Sequence, residues 1–122
     1  AVQDAIRLRL GDGQLDEIKY SAERQAYKVE IDLPGKRERE LWIARDGTIR
    51  QEVEEVTLEM VPAAVRQTVT TQTAEGGRVD ELKKRTAQGT ILYLVEIDQP
   101  SGPDLHLEIA EDGTVSNRRL ED

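Results

Sequence analysis

The sequence predicts an α+β fold. It reads as two tandem repeats, each one helix plus a four-stranded antiparallel sheet, with both helices on one face. Three observations carry this. Val29-Glu30-Ile31-Asp32 recurs as Val95-Glu96-Ile97-Asp98, and Asp46-Gly47-Thr48 recurs as Asp112-Gly113-Thr114, both at an offset of 66 residues. A fixed period through charged, aromatic and turn positions points to a duplicated supersecondary unit. In each half, a segment with apolar residues at helical spacing precedes segments in which they alternate. Gly and Pro punctuate those segments at matching places. The expected boundaries are 1–56 for the first repeat and 57–122 for the second.

The helix of the second half is the clearer one. Val61, Ala64, Val65, Thr68 and Val69 lie on one helical face. Pro62 suits the first turn, where its missing N–H removes no bond, and Gly76-Gly77 supplies a stop. The β-branched run Thr68 to Thr73 should fray the last turn. In the first half Val2, Ala5, Ile6 and Leu10 keep a similar face ahead of Gly11 and Gly13. That helix reads as shorter by about five residues in the chain given.

Strands follow in order. Residues 15–21 and 79–85 are short and highly charged, as an edge strand tends to be. Residues 26–33 and 91–99 alternate Tyr, Val and Ile with charges, and residues 39–44 and 105–110 alternate again. The two Asp-Gly pairs reverse the chain into residues 48–53 and 114–120, and residues 54–59 connect the halves. Alternation implies a sheet covered on one face, since strands buried on both faces read as continuous apolar runs. The expected interior is Ile6, Tyr27, Val29, Ile31, Leu41, Ile43, Val65, Val69, Tyr93, Val95, Ile97, Leu107 and Ile109.

Composition bounds the function. The 122 residues include 25 acidic and 17 basic side chains, for a net charge of −8. Each half carries more acidic than basic residues, so nucleic acid and anionic membrane are disfavoured as partners. No stretch approaches the apolar length of a membrane span. Ala1 opens on a folded pattern, which fits either a cytoplasmic chain or one whose leader has been removed.

Catalytic material is scarce: one His, no Cys, and Ser only at 21, 101 and 116. A nucleophile–base–orienter set is hard to assemble from these. The acidic loops around Asp12 and Asp112 lack the ligand ladder of a calcium site, and no glycine-rich phosphate loop precedes a helix. The reading is therefore no enzyme, no metal and no cofactor.

Two side chains stand out from the alternation. Trp42 lies between Leu41 and Ile43 and so points away from the helix-covered face, and its repeat counterpart is Glu108. Leu94 points outward between Tyr93 and Val95, where the first half has Lys28. His106, out of phase with Leu105 and Leu107, should sit on the same side opposite Asp98. With the sheets side by side, Trp42, Lys28, Leu94 and His106 would share an open face and form the expected binding site.

The order of elements, the Pro62-Ala63-Ala64-Val65 helix start, Tyr93-x-Val95-x-Ile97 and Asp112-Gly113-x-Val115 together resemble the PepSY-like, β-lactamase-inhibitor-protein-like group. The resemblance covers most of the chain and implies an exported bacterial protein. It also implies a non-catalytic protein-binding or inhibitory module that uses the open face of its sheet. Alternatives are a structural or self-associating envelope domain, whose dimer Trp42→Ala would abolish, and a carboxylate-based enzyme.

Overall fold

A computed structural model describes residues 1–121. Its element order is α1 (Val2–Leu10), β1 (Gln14–Ser21), β2 (Ala26–Leu33), β3 (Arg37–Ala44), β4 (Ile49–Glu55), a 3₁₀ turn (Leu58–Met60), α2 (Ala63–Gln72), β5 (Arg78–Ala87), β6 (Thr90–Asp98), β7 (Asp104–Ala110) and β8 (Val115–Glu121).

The expected pair of repeats, each a helix with its own four-stranded sheet, is overturned. The strands make one eight-stranded sheet in the order β1-β2-β3-β4-β5-β6-β7-β8, accompanied by only two short helices. The physical reason lies in the edges. Two four-stranded sheets would expose four rows of unpaired backbone groups, whereas one continuous sheet exposes two. The expected connector, residues 54–59, is partly strand, because β4 runs on to Glu55.

By its internal packing the chain divides into two compact units. One comprises Ala1–Glu54 with Thr86–Gly89, and the other comprises Glu55–Arg85 with the chain from Thr90 onward. In the first, Ala5 and Ile6 of α1 pack on Val29, Ile31, Leu41 and Ile43. Asp4 near the helix start and Arg7 and Arg9 near its end suit the helix dipole. Arg39 of β3 donates to the Arg9 carbonyl and holds Glu54 at 2.7 Å, tying the helix end to the sheet. Glu52 Oε1, a buried oxygen without a hydrogen bond, lies 3.4 Å from Arg9 Nε as a charge contact.

In the second unit, Val65 and Val69 of α2 pack with Val61, Leu82 and the inward residues of β6 and β7, from Tyr93 to Ile109. α2 does not fray at its threonines, and it ends at Thr73 rather than at the glycines. Thr70, Thr71 and Thr73 each donate a hydroxyl to the carbonyl four residues back, at 2.9–3.0 Å. Those bonds occupy the hydroxyls within the helix, while the packing of Val65 and Val69 into the core overrides the threonines' poor propensity. α1, at 9 residues, is nearly as long as α2, at 10, contrary to the expected difference.

The interior follows the alternation except at Tyr27 and at the cross-strand pair Ala26 and Ala44, which is buried out of phase with the core. Tyr27 is half-buried, its ring edge-on to Tyr20 across β1–β2 at 5.0 Å. A phenol keeps its polar end wet while burying its ring edge. Ala5, Ala26, Ala44, Val61, Leu82 and Leu105 are buried in addition to the expected set.

Each Asp-Gly reversal is a three-residue loop rather than a two-residue hairpin. Ala44 N–H donates to Thr48 O and Gly47 N–H to Ala44 O, and Ala110, Gly113 and Thr114 repeat the pattern. Positive φ at Gly47 and Gly113 completes the turn. Asp46 and Asp112 each accept the N–H two residues on, at 2.9 Å. That backbone hydrogen bond, from Thr48 or Thr114, is the leading cause holding both carboxyls below their ordinary value.

A folded-state pKa below the unfolded one contributes stability above the unfolded pKa, and that contribution is lost as pH falls through the folded pKa. Asp46→Asn with Asp112→Asn should therefore shrink the drop in urea midpoint between neutral pH and about pH 3, the acid side of a free carboxyl. An unchanged drop would mean that the turn carboxylates do not couple to folding.

Candidate functional site

The faces of the strands turned away from the helices carry the candidate residues, two in each unit. In the first unit, Trp42 lies between Leu41 and Ile43, both fully buried, and is itself half-buried on the other side of β3. Its cross-strand partners are Lys28 on β2 and Gln51 on β4. The indole N–H donates to Glu40 Oε1 at 2.8 Å. The Arg24 guanidinium stands 4.2 Å from the ring centroid, a cation–π arrangement. Arg24 belongs to the β1–β2 turn, and Arg50 holds that turn by donating to the Arg24 carbonyl at 2.7 Å. Lys28 contacts Glu30 at 3.4 Å. The result is an aromatic ring whose orientation is fixed by an acid at its edge and a base over its face.

In the second unit, Leu94 and His106 line one depression of about 270 Å³. Around them stand Glu81, Lys83 and Arg85 from β5, Glu96 from β6, Glu108 from β7, and Asn117 and Arg119 from β8. His106 faces Glu96 and Arg119, not Asp98 as the sequence suggested. The error was one of register: Ile97 pairs with Leu105, which sets Glu96 rather than Asp98 opposite His106. Asp98 instead meets Arg78 at 3.2 Å. His106 Nε2 lies 4.0 Å from Glu96 and 3.6 Å from Glu121, and Arg119 holds Glu121 at 2.9 Å. Glu108 receives Arg85 at 3.4 Å and Asn117 at 3.1 Å.

Acids with raised pKa gather beside this depression. Partial burial pushes the Glu96 carboxyl up, opposed by the nearby His106 and reinforced by Asp80, Glu81 and Asp104. Asp104 is raised as well, first by desolvation and then by Asp98. Among the described residues no group of three or more His, Cys, Asp or Glu side chains is arranged to hold a metal ion. No helix among them is long and apolar enough to cross a membrane.

The structure thus sets Trp42 directly across from Lys28, and brings Leu94 and His106 to one depression without pairing them. Sequence reasoning missed Arg24, which is separated from Trp42 by a turn and a full strand. It also missed Arg85, Glu108 and Arg119, whose roles depend on cross-strand register. Only the outward phase of a large apolar side chain was readable without that register.

No protein-family model matches the chain, and no curated protein does. Several solved structures share its fold. A DUF2874 family protein from Bacteroides uniformis superposes with a TM-score of 0.75 at 16% identity, over 98% of this chain and 86% of that one. A BLIP-like protein from Bacteroides fragilis gives 0.73 at 18%, over 98% and 83%. A candidate periplasmic protein from Bacteroides eggerthii gives 0.77 at 17%, over 98% and 86%. At such identities the likeness is one of fold: the chain has the fold of BLIP-like and DUF2874 family proteins.

Proposed function

We propose that the chain is a non-catalytic protein-binding module of the bacterial envelope or secretome. Its sheet face opposite the helices is the contact surface, with Trp42 as anchor, Lys28 beside it, and Leu94 and His106 forming a second contact area. The observation that carries this reading is the held indole. A half-buried Trp, fixed by Glu40 at its N–H and by Arg24 over its ring, is presented on the solvent side of a rigid strand. Interface centres are enriched in Trp and Arg held in place before binding, because less freedom is then lost on association. The net charge of −8 favours a basic partner by long-range steering, an effect that salt weakens. Likeness to a BLIP-like protein and to a candidate periplasmic protein supports the binding role and the location.

The test is affinity capture from the envelope fraction of the native host, followed by titration of the captured protein. Trp42→Ala should weaken binding by about 2 kcal/mol, roughly thirtyfold, and Leu94→Ala by a smaller amount. Binding that neither truncation alters would remove the open face as the contact surface.

A further inference from the structure

The first edge of the sheet carries a pattern that the open-face site does not use. β1 pairs with β2 on one side and stands at the end of the strand order. Leu15, Ile18 and Tyr20 lie directly opposite Ile31, Val29 and Tyr27, so they point to the helix side, as the core does. Yet Leu15 is 47%, Ile18 44% and Tyr20 46% exposed, whereas Ile31 and Val29 are fully buried. The short α1 leaves this margin of the apolar face uncovered.

On the other side of the same strand, Glu17 lies opposite Glu30, and Lys19 lies opposite Lys28. Like charges directly across a strand pair are unfavourable. Glu17 and Lys19 contact each other along their own strand, at 3.6 Å.

Both features are answered by a second copy of β1. We propose that two copies of the chain associate edge to edge through antiparallel β1 strands centred on Ile18. A two-fold axis normal to the sheet relates them. In that register Ile18 meets Ile18 on the helix side, flanked by the two Tyr20 rings. Glu17 of each copy lies opposite Lys19 of the other on the open side, giving two unlike pairs where β2 offers like ones. An isologous contact has this reciprocity, residue i on j and j on i, and it closes at a dimer.

The bulge between Leu15 and Glu17 limits the pairing to the short straight segment after it, which suits a reversible contact. β8 fits less well. Its comparable centre, Leu120, is the penultimate residue of the strand, and Arg119 there already holds Glu121 at 2.9 Å.

Sedimentation velocity across the micromolar to millimolar range tests this. The wild type should show a concentration-dependent dimer and no larger species. Ile18→Lys should leave only monomer. Glu17→Lys and Lys19→Glu should each weaken the dimer about tenfold or more by juxtaposing like charges. The double exchange Glu17→Lys with Lys19→Glu should restore it, because unlike pairs re-form across the two-fold. Urea unfolding of each variant separates loss of fold from loss of contact. Trp42→Ala and Leu120→Lys should leave the dimer intact.

A monomer at every concentration would overturn the proposal, as would a double exchange that fails to rescue. Loss of the dimer with Leu120→Lys would move the contact to β8, and species beyond a dimer would indicate head-to-tail β1–β8 pairing. Loss with Trp42→Ala would assign self-association to the open face. Each of these outcomes overturns the β1 pairing without touching the partner-binding test, which reads a different protein.

Discussion

Gly113→Ala lowers the free energy of unfolding by about 3 kcal/mol, among the larger effects expected of a single methyl group. Two costs add. At φ +91 the backbone sits in the left-handed region, where any Cβ is strained. That Cβ would also lie 2.8 Å from the Ala64 carbonyl oxygen and 3.1 Å from Thr68 Oγ1, in the first turns of α2. The same turn is held to the helix by Thr68, which donates to the Gly113 carbonyl at 2.7 Å. A side chain at 113 therefore pushes the helix off the core that Val65 and Val69 complete. Gly89→Ala is the comparison, since φ there is +76 and nothing lies within 4 Å of the added Cβ. It should cost about 1 kcal/mol, for the backbone strain alone. Urea midpoints of the two variants measure the difference, and equal losses would show that the turn–helix contact contributes nothing.

Adjacent residues on β3 should respond unequally to truncation. Leu41 is fully buried between α1 and the neighbouring strands, so Leu41→Ala should cost about 3 kcal/mol, transfer loss plus cavity. Trp42→Ala removes a larger side chain but should cost only about 1–1.5 kcal/mol. What it loses is a cation–π contact, one partly exposed hydrogen bond and half-buried area. A Trp42→Ala loss as large as that of Leu41→Ala would make the indole part of the core and remove the anchor of the binding surface. Chemical denaturation of the two proteins under one condition is sufficient.

Legibility tracked the range of the interactions involved. Leu41, Ile43, Val95 and Ile97 were assigned inward from alternation alone, because period two is a property of the strand itself. Both helices were located by helical spacing, although the end of α2 was not: the helix stops at Gln72, with Thr73 as its cap, before it reaches the glycines that commonly end a helix. The two Asp-Gly turns were found as reversals. Their second role, as the seat of a helix at Gly113 and of Ala1 at Gly47, needs tertiary approach to be seen.

The sheet was misjudged for the same reason. Local pattern describes strands, but whether eight of them form one sheet or two depends on which edges pair, and β4 and β5 carry no local mark of that. At the site, Trp42 and Leu94 were flagged by phase alone. Arg24 over the indole and Glu96 beside His106 required the register, which the turn lengths fix.

The face of β2 and β3 opposite the helix, around Trp42, is where we propose that another protein sits. Site-specific photo-cross-linking in the native host tests it most directly, with the reactive group placed at Lys28, directly across from Trp42, and separately at Leu8, the most exposed of the large apolar side chains and one carried by α1. An adduct with a second protein from position 28, absent from position 8 and lost on Trp42→Ala, is the predicted result. An adduct from position 8 with none from position 28 would put the partner on the helix side and contradict the account.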